Sequence, residues 1–358
     1  MDQKKIGIIT FHDSRNYGAV LQAYALQKKV SRYFLETEII DYQNPTIQKD
    51  LKLWNYIGGV KGGVKALLAF VFRAKKKIAF DSFLKKYIPL SPALSKKTIK
   101  KYSSKYDIVI TGSDQVWNTD LTKDDMQYFL TFCSDKQDRI AYAASFGDRK
   151  IELSGAVKKA LSEFSLITLR EENMLKEVKS TANCPVEITC DPTFLLERPE
   201  WVKLCSKRIL KSGYVFLFMI DDSAELRKYA KNFAEKNGLK LVSNKNDLKF
   251  FFHSSPKDFL SWIFHADYMI TNSFHGTVFS ILFHKQFVSH LKNNKGIPKT
   301  RIIRLLDQFK LSHRNTDNTG FDMRQEENWE YADKKIDQMR KASWKYMTEK
   351  FEEILRRE

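Results

Sequence analysis

The apolar residues of this chain gather in short, unbroken runs, and longer stretches of helical period separate them. KIGIIT (5–10), TEIIDY (37–42), YDIVIT (106–111), IAYAASF (140–146), SLITL (165–169) and VEITC (186–190) read as strands. GAVLQAYALQKKV, AVKKALSEF and EENMLKEV lie between them with helical patterning. A polar, turn-rich stretch follows, from CDPTFLLERPEW to about Ser212, and then the pattern restarts. YVFLFMI (214–220), LKLVS (239–243), DYMIT (267–271) and QFV (286–288) are the second set of strands. AELRKYAKNFAEKNG, SPKDFLSWIFHA, HGTVFSILFH and KTRIIRLLDQF are its helices, the first closed by glycine and the second opened by Ser-Pro. Strands alternating with helices predict an α/β fold with parallel, doubly wound layers. The restart predicts two such domains, 1–200 and 210–325, with the boundary near residues 197–212.

Two stretches stand outside the alternation. Residues 326–358 carry Ile336, Met339, Trp344, Met347, Phe351, Ile354 and Leu355 at helical spacing, so an amphipathic helix is expected to pack back across the domains. Residues 52–88 form a basic insertion dense in Leu, Phe, Trp, Val and Ile, with Asp81 as its single acid. A segment of that type can lie on an anionic membrane, or it can pack on the first domain with its lysines in solvent.

Charge sharpens the choice of partners. Sixty-one Lys and Arg against 43 Asp and Glu give a net charge of +18, which favours nucleic acid, an anionic membrane surface or phosphorylated small molecules. Cys133, Cys184, Cys190 and Cys205 stand singly and match no common zinc spacing, so reduced thiols, a cytoplasmic setting and no bound metal are expected. The N-terminus runs straight into a strand rather than a secretory signal, and no apolar run reaches the ~18 residues a membrane span needs.

Five stretches carry candidate chemistry. In FHDSRNYGAVLQAYALQ (11–27) a strand leads through Asn16 and Tyr17 to Gly18 at a helix start, where backbone N–H groups can hold a phosphate or carboxylate or simply be capped. ITGSDQVWN (110–118) ends a strand, and Asp114 there can bind a sugar hydroxyl, accept its proton, or form an Asx turn. Arg170, between a strand and a helix in LITLREENM, can fork onto an anion or pair with Glu171 or Glu172. In ITNSFHGTVFSILFHKQFV (270–288) the polar residues Asn272, Ser273 and His275 interrupt two apolar stretches, and Gly276 permits close backbone approach. A histidine so placed can act as an acid, a base or an anion ligand, although a lone histidine is more often structural. Arg301 and Arg304 lie three apart at the start of a helix and can grip an anion or decorate the surface.

Taken in order, GIITFHDSRNYGAVLQAYALQ, YDIVITGSDQVWN, AYAASFG, LREENM, CDPTFLL and ADYMITNSFHGTVFSILFHKQF resemble the polysaccharide pyruvyl transferase family. The resemblance implies two Rossmann-like domains facing a cleft, similar to the GT-B architecture, with the C-terminal helix packing back. It implies transfer of the enolpyruvyl unit of phosphoenolpyruvate onto two hydroxyls of a hexose such as galactose, giving a cyclic ketal and phosphate. The acceptor is expected to be a capsule or exopolysaccharide precursor, often linked to a polyprenyl diphosphate, and no cofactor is expected. His275 matches the family's histidine and is expected to be catalytic with Asp114. Many members have an arginine where Ser273 stands. Arg170 is therefore expected on the donor side with Asn272, Ser273 and Gly276, and Arg301 and Arg304 are added to that set. Asn16, Tyr17, Gly18, Ser113, Gln115 and Trp117 are expected on the acceptor side.

Two rivals share these features. A GT-B-type glycosyltransferase would use a nucleotide sugar in the same fold. A nucleic-acid binder would explain the charge, but the basic residues concentrate in one insertion and no RRM, KH or helix-turn-helix signature is present, so no nucleic-acid partner is expected. A protein acting on lipid-linked sugars is expected in the cytoplasm, or peripherally at the inner face of the cell membrane.

Overall fold

The short apolar runs form strands because each is apolar enough to be covered on both faces of a parallel sheet. The protein is described here by a computed structural model that covers residues 4–47, 63–148, 150–245, 247–293 and 296–357, with backbone alone for 63–69. Six strands, β1 (Lys5–Ile9), β2 (Glu36–Ile39), β3 (Ile108–Thr111), β4 (Asp138–Ala144), β5 (Leu166–Leu169) and β6 (Val186–Ile188), make one sheet. Four more, β7 (Tyr214–Phe218), β8 (Lys240–Ser243), β9 (Tyr268–Thr271) and β10 (Gln286–Ser289), make a second. Every pairing within both sheets is parallel.

The chain divides into two compact units, residues 1–196 with 338–358 and residues 197–337. Both are Rossmann-like. The longer helices are α1 (Tyr17–Val30), α2 (Gly63–Tyr87), α3 (Gly155–Leu161), α4 (Arg198–Leu204), α5 (Ala224–Lys236), α6 (Pro256–Phe264), α7 (Phe274–Leu282), α8 (Thr300–Gln308) and α9 (Glu330–Arg356). Their starts follow local chemistry. Asn16, Ser154, Ser223 and Ser273 each accept from the backbone N–H groups of the first turn, and Ser255 and Asp258 form a capping box.

The two sheets repeat one topological plan. In the first the order is β2-β1-β3-β4-β5-β6, and in the second β8-β7-β9-β10, so each winds one way and then reverses. The reversal lies between β1 and β3 in the first unit and between β7 and β9 in the second. Open α/β sheets bind ligands beyond the carboxyl ends of the strands at that switch point.

The C-terminal helix α9 crosses the division between units, and its later part belongs to the first. There Trp344, Met347, Phe351 and Ile354 are buried, with the Phe351 ring 4.9 Å from that of Phe34. The Cys190 N–H donates to Ser343 Oγ (2.9 Å), and Arg340 donates to the Phe194 carbonyl (2.9 Å), tying the helix to the loop after β6. Of the basic insertion, residues 52–62 lie outside the described set. Its remainder is α2, which buries Phe80, Phe83 and Leu84 while leaving Val71 and Ile78 exposed. Burial pushes the four thiols up, to about 12 for Cys133 and Cys205 and about 11 for Cys184 and Cys190, so none is an activated nucleophile.

Candidate active site

At the switch point of the first unit, the loops after β1 and β3 are stitched together by Gln22 of α1. Its amide donates to Thr10 Oγ1 (2.8 Å) and accepts from the Ser113 N–H (3.2 Å), while Thr10 Oγ1 donates to the Ser113 carbonyl (3.1 Å). Asp114 follows with φ of 66°, a left-handed conformation that aspartate tolerates better than most residues. The neighbouring strand β4 shifts register between Ala141 and Ala144, and such irregularities often re-aim side chains beside a site.

Arg170 closes this crest. Its side chain is 4% exposed, donating to Glu171 (2.9 Å) and Asp191 (3.0 Å), with Asp114 at 3.7 Å. Burial works against its charge, but Glu171, Asp114 and Asp191 outweigh burial and hold the guanidinium above its usual range. The arginine assigned to the donor therefore joins the loops after β3, β5 and β6 and orients Asp114.

Behind β1 of the same sheet lies a feature the sequence reading passed over. His12 is 3% exposed at its side chain and lies 3.0 Å from Asp41, with Nδ1 3.2 Å from the Thr10 carbonyl. It lines a pocket of about 10 Å³, room for one water or one hydroxyl, together with Asp13, Ser14, Tyr42, Asn44 and Tyr128. Tyr42 and Asn44 both donate to Asp125 (2.6 and 2.9 Å). The polar run His12-Asp13-Ser14, directly behind the first strand, was the available signal.

Several acceptor-side expectations are corrected by burial. Trp117 is fully buried, stacked on Phe129 with its indole N–H donating to the Tyr128 carbonyl (2.9 Å), so it is core. Ser113 is fully buried and its hydroxyl donates to the Ala143 carbonyl (2.8 Å). Tyr17 packs on Phe80 with Lys76 over its ring. The anion cradle at Gly18 is filled by Asn16 Oδ1, which accepts from the Gly18 N–H at 2.9 Å. Gln115 remains half-buried at the crest, accepting from the Asn118 amide (2.8 Å).

The switch point of the second unit is built by Asn272. Its side chain accepts from the Ile220 N–H (2.8 Å) and donates to the Asp221 carbonyl (2.7 Å), and its own carbonyl accepts from Lys299 Nζ (3.0 Å). Lys299, which the sequence reading missed, also pairs with Asp221 (2.6 Å). Ser273 caps α7, its hydroxyl accepting from the Gly276 N–H (3.2 Å). A side chain at Gly276 would place Cβ 2.5 Å from Thr271 Oγ1, and only glycine lets α7 seat so closely on the end of β9.

His275, in the first turn of α7, keeps 9% of its surface exposed. Its ring lies 5.2 Å from that of Phe274, over which the Arg301 guanidinium sits at 5.8 Å. The structure thus gathers Asn272, His275, Lys299 and Arg301 on one crest, and separately gathers Asp114 with Arg170. Arg304, one turn along α8, is exposed. A wider recess of about 620 Å³, lined by Arg208, His265, Asp267 and Lys285 among others, lies at the opposite, amino-terminal edge of the second sheet, away from the edge where such folds bind ligands. Among the described residues no helix is long and apolar enough to cross a membrane.

A sequence model of the polysaccharide pyruvyl transferase family matches residues 16–294, which include Asp114, Arg170, Asn272 and His275. No curated protein matches the chain. Among solved structures, the chain is similar to a UDP-GlcNAc 2-epimerase of Neisseria meningitidis bound to UDP-GlcNAc, at 10% identity and a TM-score of 0.42 over 99% of this chain and 100% of that one. A putative UDP-N-acetylglucosamine 2-epimerase of Listeria monocytogenes aligns at 11% and 0.41 over 88% and 90%. An uncharacterised protein of Klebsiella pneumoniae aligns at 15% and 0.38 over 81% and 92%.

Proposed function

The chain belongs to the polysaccharide pyruvyl transferase family, and from that premise we propose that it transfers the enolpyruvyl unit of phosphoenolpyruvate to two hydroxyls of a hexose in a glycan precursor. What supports the reading most is the place of His275, at the carboxyl end of β9 in the first turn of α7, with Lys299 and Arg301 on the same crest. Phosphoenolpyruvate carries a carboxylate and a phosphate, which call for cations and a helix N-terminus. The first unit's crest is acidic, with Asp114, Glu171 and Asp191 around one arginine, and suits hydroxyl groups.

In the proposed reaction the His275 imidazolium gives its proton to the methylene carbon. The neighbouring carbon gains positive character and bonds to a sugar hydroxyl, whose proton passes to the phosphate group. The bond to the phosphate oxygen then breaks and phosphate leaves. The second hydroxyl closes the ketal ring, returning a proton to the imidazole. His275→Ala should lower phosphate release by about 10²-fold or more, the usual scale for losing a positioned acid, with the circular-dichroism spectrum unchanged. Near-normal turnover of this variant would remove histidine from the chemistry. UDP released from a nucleotide sugar, with no phosphate from phosphoenolpyruvate, would favour a glycosyltransferase instead.

The acceptor's lipid linkage and a peripheral membrane setting rest on α2. Val71 and Ile78 are exposed seven residues apart, on the face that also carries Lys75 and Lys85. Each lysine near an anionic surface contributes about 1 kcal/mol. Lys75→Glu with Lys85→Glu reverses two charges of that face. The double variant should sediment less with phosphatidylserine vesicles at low salt; equal sedimentation of both proteins would dismiss the membrane contact.

A further inference from the structure

We infer that the second unit carries a divalent-cation site formed by Glu225, His290 and Asp317, of the kind that takes Mn²⁺ or Zn²⁺. A ring nitrogen of His290 and a carboxylate oxygen from each acid lie within 4.8 Å of one another. The three residues come from separate segments: the first turn of α5, the residue after β10, and the loop beyond α8. That convergence is tertiary, since 92 residues separate Glu225 from Asp317 in the numbering (317 − 225).

The histidine makes this more than a pair of surface acids. His290 is 4% exposed, while Glu225 and Asp317 are exposed. Its Nδ1 is 2.8 Å from Thr316 Oγ1, which fixes the ring and leaves Nε2 as the nitrogen open to a ligand. No hydrogen bond or ion pair joins His290 to either carboxylate among the described residues. The three atoms are thus too far apart to bond directly and close enough to share one bridging ion. Imidazole with its second nitrogen held by a neighbour is the usual posture of a metal-ligating histidine. One imidazole with two carboxylates suits Mn²⁺, Zn²⁺ or Fe²⁺ better than Ca²⁺ or Mg²⁺, which prefer all-oxygen sets.

The site already draws a cation from its own chain. Lys292 Nζ lies 2.9 Å from Asp317. Two carboxylates against one ammonium leave a local charge of −1. Lys292 is half exposed and can swing aside, so it acts as a competitor that a metal ion must displace.

The position also bears on the proposed reaction. The His290 N–H donates to the Thr271 carbonyl (2.7 Å), at the end of β9 and four residues before His275. The ion would therefore sit on the crest assigned to the anionic donor. Its binding is a separate matter from the identity of that donor, and the test does not use turnover.

Chain stripped with chelator is titrated with Mn²⁺, and the free ion is read by electron paramagnetic resonance. One saturable site per chain is expected, with Zn²⁺ competing. Asp317→Asn and Glu225→Gln, both at exposed positions, should each weaken binding at least about 10-fold, as should His290→Gln where it folds. Thr316→Val should weaken it about 10- to 100-fold by freeing the ring. Lys292→Met should tighten it, an outcome a purely structural cluster would not give. No saturable binding, or binding equal in wild type and the two carboxylate variants, overturns the site.

Discussion

His284 shows how a single half-buried ring makes stability depend on pH. Arg198 donates to its Nδ1 (2.8 Å), and arginine cannot accept, so that nitrogen is bare. Nε2 lies 2.7 Å from Asp333 and carries the proton, and the ring stacks on Trp329 at 5.1 Å. The imidazole is therefore neutral. Burial holds its pKa below the ordinary value, with Asp333 pulling the other way. The unfolded chain takes up a proton more readily than the folded one, so this stabilisation is present above the unfolded value near 6.5 and is lost as pH falls through the lower folded value. Urea unfolding from about pH 8 to about pH 5 should show stability falling more steeply in wild type than in His284→Gln, whose amide keeps both bonds. Parallel slopes would assign the pH dependence elsewhere. This role was not legible from local pattern, because Arg198 and Asp333 lie 86 and 49 residues away. Arg170 teaches the same lesson from the other side. Its place at a strand end was legible, but its three acidic partners were not, since Asp114 and Asp191 reach it only through the order of strands in the sheet.

Elements were legible where the chemistry is local. Each short apolar run became a strand within three residues at either end, and the serine and asparagine caps fixed the starts of helices. What local pattern could not supply was the role of each polar residue at an element's end: Ser273 and Asn16 were read as ligand groups and are caps. The junction of β9 and α7 tests how tightly such an end is built. Thr271 Oγ1 donates to the Phe218 carbonyl (2.7 Å) and accepts from the Ser273 N–H (3.0 Å), so it cannot move aside for a methyl group at residue 276. Gly276→Ala should therefore cost about 1–3 kcal/mol, the usual range for overpacking. The isolated helix preference of alanine over glycine would act the other way, by about 1 kcal/mol. Chemical denaturation gives the sign. A stabilised variant would show that α7 can lift off the strand, and the steric account of Gly276 would fail.

At the scale of the whole molecule, the last 21 residues decide whether the first unit stands. They are the portion of α9 assigned to it, residues 338–358, and the unit's other segment ends at residue 196. Trp344, Met347, Phe351 and Ile354 are each at most 5% exposed. At about 1.5–3 kcal/mol for each buried side chain, the helix contributes roughly 6–12 kcal/mol of gross burial, an upper estimate. Domains are stable by about 5–15 kcal/mol in total, so losing this face should unfold the unit or leave it molten. The amphipathic stripe was plain in the sequence, but its destination was not, because nothing local says that Phe351 meets Phe34. Ending the chain at Asp337 should therefore abolish slow amide exchange in β1–β6, while β7–β10, whose unit is closed by residues 197–337, keep theirs. Met347→Ala in the full chain, expected to cost about 2–5 kcal/mol, reports on the same face without removing backbone. If both proteins retained wild-type protection in β1–β6, the helix would be a passenger on the first unit rather than part of its core.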